Sequence, residues 1–176
     1  LPAGTNMYVE NGTFDTLGRT IAVQNFYAKA GATVRQHSAN NISNTGSIFR
    51  TAGCVWEYYG AVNNNTTFSS AINCTLILNK SPGYSFSLAS NLIVAGGLKI
   101  LSGTFNSASY SVSVAGNWEN LGGNYTPGTS VVSLNGLDQS IIGNTSFYEL
   151  SKVVTASSTL TFAAGSTTTV TNGITL

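Results

Sequence analysis

Charge is scarce in this 176-residue chain. Asp, Glu, Lys and Arg together make up 7 % of it, against roughly 25 % in an ordinary soluble domain. Net charge is +1, which leaves no electrostatic case for nucleic acid or an anionic membrane surface as partner. There is one histidine and there are two cysteines. No CxxC pair or Cys/His cluster occurs, so neither a zinc site nor any other metal or cofactor is expected. Long apolar runs are missing too. The richest, Leu92 to Leu101, contains Gly96, Gly97 and Lys99 and falls far short of the roughly 20 residues needed to span a bilayer. No basic segment followed by an apolar one opens the chain. Helix signals are almost absent, because no window keeps the i, i+3, i+4, i+7 apolar pattern.

What fills the gap is Gly, Ser, Thr and Asn around short alternating segments such as Thr75-Leu76-Ile77-Leu78 and Tyr110-Ser111-Val112-Ser113-Val114. Alternation of apolar with small polar residues marks half-buried strands. The strands come about every ten residues, separated by Gly, Asn, Ser or Pro turns. The chain also echoes itself. Met7-Tyr8-Val9-Glu10-Asn11-Gly12-Thr13-Phe14 returns as Leu98-Lys99-Ile100-Leu101-Ser102-Gly103-Thr104-Phe105, an offset of 91. Val94 to Ile100 returns as Val170 to Leu176, an offset of 76. Self-similarity at long period predicts an all-β, parallel β-solenoid. At about 20 residues and about 4.8 Å per coil, it would have about nine short coils over some 40 Å.

The offsets divide one domain, 1–176, into repeat one (7–97), repeat two (98–173) and the start of a third (174–176). The chain thus reads as an excerpt of a longer array. Repeat one is 15 residues longer, which predicts an inserted loop at about 37–60 protruding from the rod.

The run from Asn73 to Phe105, with Leu76-Ile77-Leu78-Asn79-Lys80 and Leu92-Ile93-Val94-Ala95-Gly96-Gly97-Leu98, resembles repeats of long secreted bacterial β-helix surface proteins of the adhesin or autotransporter-passenger kind. Val131 to Gly136, Gln139 to Gly143 and Phe147 to Leu150 share the likeness. The resemblance implies a parallel β-helix at the cell surface or in an extracellular matrix, and little about a ligand.

Candidate sites are few. Glu119 and Asp138, 19 apart, are the nearest acid pair across a coil that a β-helix glycosidase or lyase could use. The bland reading is two solvated turn residues. His37 lies in a polar stretch without a nucleophile motif, so a solvated side chain is expected. Trp56-Glu57-Tyr58-Tyr59 has large groups at both parities, so at least one ring must face outward. Trp56, Tyr58 and Tyr59 are therefore the candidate glycan-binding residues. Cys54 and Cys74 sit one coil apart, close enough for a disulfide, with two buried thiols as the alternative. The expectation is a non-enzymatic, structural and adhesive extracellular rod. Its partners would be neighbouring repeats or identical subunits end to end, and glycans. Nucleic acid and membrane insertion are not expected. The rival readings are a carbohydrate-binding module and a polysaccharide-active β-helix enzyme.

Overall fold

Strands too short to bury both faces become stable when the chain turns every few residues and stacks each strand on the one below. The computed structural model, which describes residues 4–38, 41–68 and 71–176, shows this arrangement. No helix occurs among the described residues, and every strand pair is parallel. The chain is a β-solenoid of triangular section.

The first face is continuous. Its eight strands are Gly12–Asp15, Ala32–Gln36, Val55–Gly60, Thr75–Lys80, Leu98–Ser102, Trp118–Asn120, Gln139–Ile142 and Leu160–Phe162, stacked in that order. Eight rungs make about eight coils, not nine. Phe14 and Phe162 are seven steps apart on this face, so a coil takes about 21 residues rather than 20.

The other two faces are each interrupted. The face met before the first in each coil runs through Asn6–Val9, Asn25–Ala28 and Ile48–Arg50 and stops. It resumes at a single bridge from Ile72 to Val94 and continues through Leu92–Val94, Val112–Val114 and Val131–Leu134. The face met after the first pairs Ile21–Val23 with Ile42–Asn44, then restarts separately at Asn64–Thr66. The break after Ile42–Asn44 lies between the second and third coils and the break after Ile48–Arg50 between the third and fourth, so the two adjoin along the chain.

Inward residues form columns. Val34, Trp56, Leu76, Leu98, Trp118 and Ile141 follow one another on the first face, all fully buried. Phe86, Phe105, Tyr125 and Phe147 form a ring ladder beside them. Aromatics fill a narrow interior well because they cover much area with few rotatable bonds.

Corners are held by polar side chains reaching to the next coil. The Asn25, Asn63, Asn91, Asn117 and Asn144 carboxamide oxygens accept from the backbone N–H of Ser47, Ser85, Ser111, Ser140 and Thr167, at 2.8–3.0 Å. Two buried lysines do similar work. Lys80 Nζ donates to the carbonyls of His37 (3.0 Å) and Tyr59 (2.6 Å). Lys152 Nζ donates to the carbonyls of Gly136 and Leu137 and to Gln139 Oε1.

Two expectations need correction. Residues 37–60 are not a protruding loop. Ile42–Asn44, Ile48–Arg50 and Val55–Gly60 are strands within the coils, while 39 and 40 lie outside the described residues. The long echoes also do not mark stacked positions. Met7 belongs to one face and Leu98 to another, and Leu98 stacks on Leu76 and Trp118. Likewise Ile174 stacks on Leu150, not in the column of Leu98. The physical reason is that all three sides are the same object, a short alternating strand ended by a Gly or Asn turn. A sequence echo therefore lands on an equivalent side as readily as on an equivalent coil.

Candidate functional site at the break between the coil stacks

The outer surface of the first face carries one ionic column. Asp15, Arg35, Glu57, Ile77, Lys99 and Glu119 are successive partners there. Arg35 bonds Asp15 (2.8 Å) on one side and Glu57 (2.6 Å) on the other, and Lys99 bonds Glu119 (3.0 Å). Asn79 donates to Glu57 (2.8 Å) and the Tyr59 hydroxyl to Asp15 (2.6 Å). The arginine also lies over the Tyr59 ring, 4.5 Å from its centre. Glu119 and Asp138 are not brought together. Glu119 is held by Lys99, and Asp138 accepts the Thr159 N–H (2.8 Å). His37 packs edge-on against Tyr59, 5.5 Å between ring centres, rather than standing free in solvent. Among the described residues no group of three or more His, Cys, Asp or Glu is arranged to hold a metal ion.

Protonation follows from these contacts. Burial pushes the Asp15 carboxyl up, but hydrogen bonds from Tyr59 and the Leu17 N–H, with the charge of Arg35, outweigh it and hold it below its ordinary value. Burial and the bond to Asp15 push Tyr59 up to about 12. Burial drives Lys80 down to about 8. Two limbs of a pH–stability profile result. A depressed carboxylate stabilises above its unfolded pKa, and that contribution is lost as pH falls through the folded value. Acid thermal melts of Tyr59→Phe should therefore lose part of the wild-type decline. For Lys80 the folded state sheds its proton first, so stability rises with pH between about 8 and the unfolded lysine value near ~10.4. In Lys80→Met that rise should be missing. Unchanged slopes in both variants would refute these assignments.

The second locus is the break itself. Alternation along Val55–Gly60 turns Trp56 and Tyr58 into the core, where they are 0 % and 2 % exposed. Neither can stack on a glycan, which corrects that part of the expectation. Of the three candidates only Tyr59 is partly exposed, and it is engaged by Asp15 and Arg35. Local sequence could not decide the parity, because Glu57 faces outward only with partners 22 residues away on either side, Arg35 and Asn79.

The exposed rings are elsewhere. Tyr8, Tyr27 and Phe49 form an outward stack on the interrupted face, 4.5 and 4.6 Å between centres and within 9° of parallel. The signal was present as three aromatics spaced 19 and 22, one coil apart. Phe49 ends the stack at the level where its sheet stops. Beside it lies a groove of about 600 Å³, lined by Phe49, Arg50, Thr51, Ala71 and Asn73 among others. The Arg50 guanidinium lies 4.3 Å over the Trp56 ring, the cation–π arrangement. Burial lowers its pKa, opposed by its contact with the Tyr58 hydroxyl.

Cys54 and Cys74 cross the same level. Their Cα atoms are 4.7 Å apart and their sulfurs are joined. The bridge closes a segment 20 residues apart in sequence, a loop size for which chain entropy gives about 3 kcal/mol. Reduction, or the Cys54→Ser, Cys74→Ser double variant, should lower stability by that order in denaturant titrations. A loss under about 0.5 kcal/mol would mean the reduced chain is already ordered there. No family model matches this chain, and neither the curated proteins nor the solved structures searched gave a match.

Proposed function

We propose that the chain is a section of a stiff, adhesive rod that works outside the cell, as part of a bacterial surface or matrix repeat protein. The observation that carries this reading is the first face, eight parallel strands paired without interruption along the whole axis. Such a ladder resists stretching because many backbone hydrogen bonds share the load, and length grows with repeat number. A disulfide is at home in an oxidising compartment. The near-neutral Ser/Thr/Asn surface and the sequence resemblance point the same way.

A further coil would cover the apolar side chains of the last described coil, with Phe162 46 % and Ile174 53 % exposed. That coil would belong to a neighbouring repeat or to an identical subunit stacked end to end. Electron microscopy of the native material, with immunogold labelling of the source cells, tests the proposal. Rods or filaments of constant width at the cell surface are expected. Compact particles inside the cell would overturn it.

A further inference from the structure

We propose that two copies of the chain pair side by side and in opposite directions, through the face that carries the Tyr8, Tyr27 and Phe49 stack, with a two-fold axis at the groove beside Phe49. The pairing is lateral, so it does not rest on what covers the ends of the solenoid.

The outward column of this face has two unlike halves. Tyr8, Tyr27 and Phe49 are successive partners in the first. The second begins at Ala71. Ile72 pairs with Val94, which sets Ala71 beside Ile93, and Ser113 and Ser133 follow Ile93 in register. The column is therefore bulky as far as Phe49 and slim beyond it. Tyr8 is 50 %, Phe49 46 % and Ile93 53 % exposed. Large apolar groups exposed together in one column form the kind of patch that meets a partner.

Shape names that partner. The three rings lie face to face within 9° of parallel and cover one another, so the free face of Phe49 is the one turned away from Tyr27. Above it the coils part, because Ile48–Arg50 pairs with Asn25–Ala28 alone. A groove of about 600 Å³ is left there, with Phe49 on one wall and Ala71 and Asn73 on the other. An inverted second copy places its own Phe49 in this groove, ring against ring, and receives the first copy's Phe49 in return. The same operation sets Tyr27 opposite Ile93 of the second copy, and Tyr8 opposite its Ser113. Bulky residues meet slim ones at each rung, which is the self-complementarity an isologous interface requires. A second copy also has the same rise per coil, so the two columns stay in step. Charge does not oppose the contact. Arg50 turns inward onto Trp56, and Lys29, 5.9 Å from the Tyr8 ring centre, falls opposite the uncharged end of the other column. Contact over about six rungs buries on the order of 400 Å² per copy, about half of a standard interface. One pair is thus weak, and successive repeats in an array would strengthen it by avidity.

Sedimentation and small-angle scattering of the intact chain, from about 0.05 to 2 mM, test this. A reversible dimer is expected, thicker than the monomer in cross-section and only slightly longer. Phe49→Glu, and Ala71→Tyr, which fills the groove, should each weaken it at least tenfold. Ser146→Glu, on another face, should leave it unchanged. Phe49 is exposed, so its variant keeps the test informative if Ala71→Tyr proves unstable by circular dichroism. Under mild oxidation, a mixture of Tyr27→Cys and Ile93→Cys chains should crosslink faster than either variant alone. A chain still monomeric at about 2 mM, a dimer that lengthens at constant thickness, or a dimer that survives Phe49→Glu would overturn the proposal. So would Tyr27→Cys linking chiefly to itself. None of these results bears on whether the rod stands at the cell surface, which microscopy reads separately.

Discussion

Trp118→Ala should cost about 3–5 kcal/mol, the range for truncating a fully buried tryptophan. The indole is completely shielded and sits where two ladders meet. Tyr125 and Phe147 pack edge-on against it, with ring centres at 4.9 and 5.0 Å, and Phe105 lies at 6.3 Å. Leu98 and Ile141 are its neighbours along the column. Its N–H donates to the Thr145 hydroxyl at 3.2 Å. Few of these neighbours can close the gap, because each is fixed by its own rung. Trp118→Phe keeps an aromatic ring and loses the hydrogen bond, so a smaller cost of about 1–2 kcal/mol follows. Stacked coils interact mainly with their neighbours, so the damage should be local. Hydrogen exchange read peptide by peptide should show lost protection across residues 98–151 with protection retained at 12–60. Uniform loss along the chain would mean the solenoid melts as one unit instead.

Gly143→Ala is the second large effect, and it separates two causes. Gly143 has φ +82°, where a β-carbon costs about 1–2 kcal/mol. A β-carbon built there also overlaps the carbonyl oxygen of Asn120 on the preceding coil. Backbone cannot rotate away as a side chain can, so a further ~1–3 kcal/mol of overpacking is expected. Gly165 is the control. Its φ is +76°, yet a β-carbon there meets nothing within 4 Å. Gly165→Ala should show the conformational cost alone. Equal shifts in melting temperature for the two variants would mean that the corner at Gly143 relaxes freely.

The sequence made the rungs legible but not the partners between rungs. Alternation in Thr75-Leu76-Ile77-Leu78 marked a half-buried strand, and the structure buries Leu76 and Leu78. The composition excluded helices, and the self-similarity pointed to a parallel solenoid. Three things were hidden. The orientation of Trp56 and Tyr58 depended on residues a full coil away. The echoes at 91 and 76 could not separate a side of the prism from a coil, so a stretch of ordinary strands read as an insertion. The abundance of Asn read as turn propensity, although Asn63 and Asn91 each hold the N–H of a serine on the next coil. That pattern, Asn followed 20–23 residues later by Ser or Thr, is visible in the sequence once the coil length is known.

The adjoining levels where two faces stop pairing set how the molecule answers force. Pulled along its axis, the strands up to Arg50 and those from Asn64 onward are joined through Val55–Gly60, which pairs with Ala32–Gln36 below it and Thr75–Lys80 above it. They are also joined by the Cys54–Cys74 bond. The first face thus serves as a backstrap, with the other two sides free to gape like the pages of a book. Hydrogen bonds give way rung by rung, whereas a covalent tie does not. The disulfide lies at the corner where such a hinge would open. Oxidised, the molecule is expected to bend little there. Reduced, it is expected to yield at this one joint before any other, which makes the local thiol state a setting for compliance.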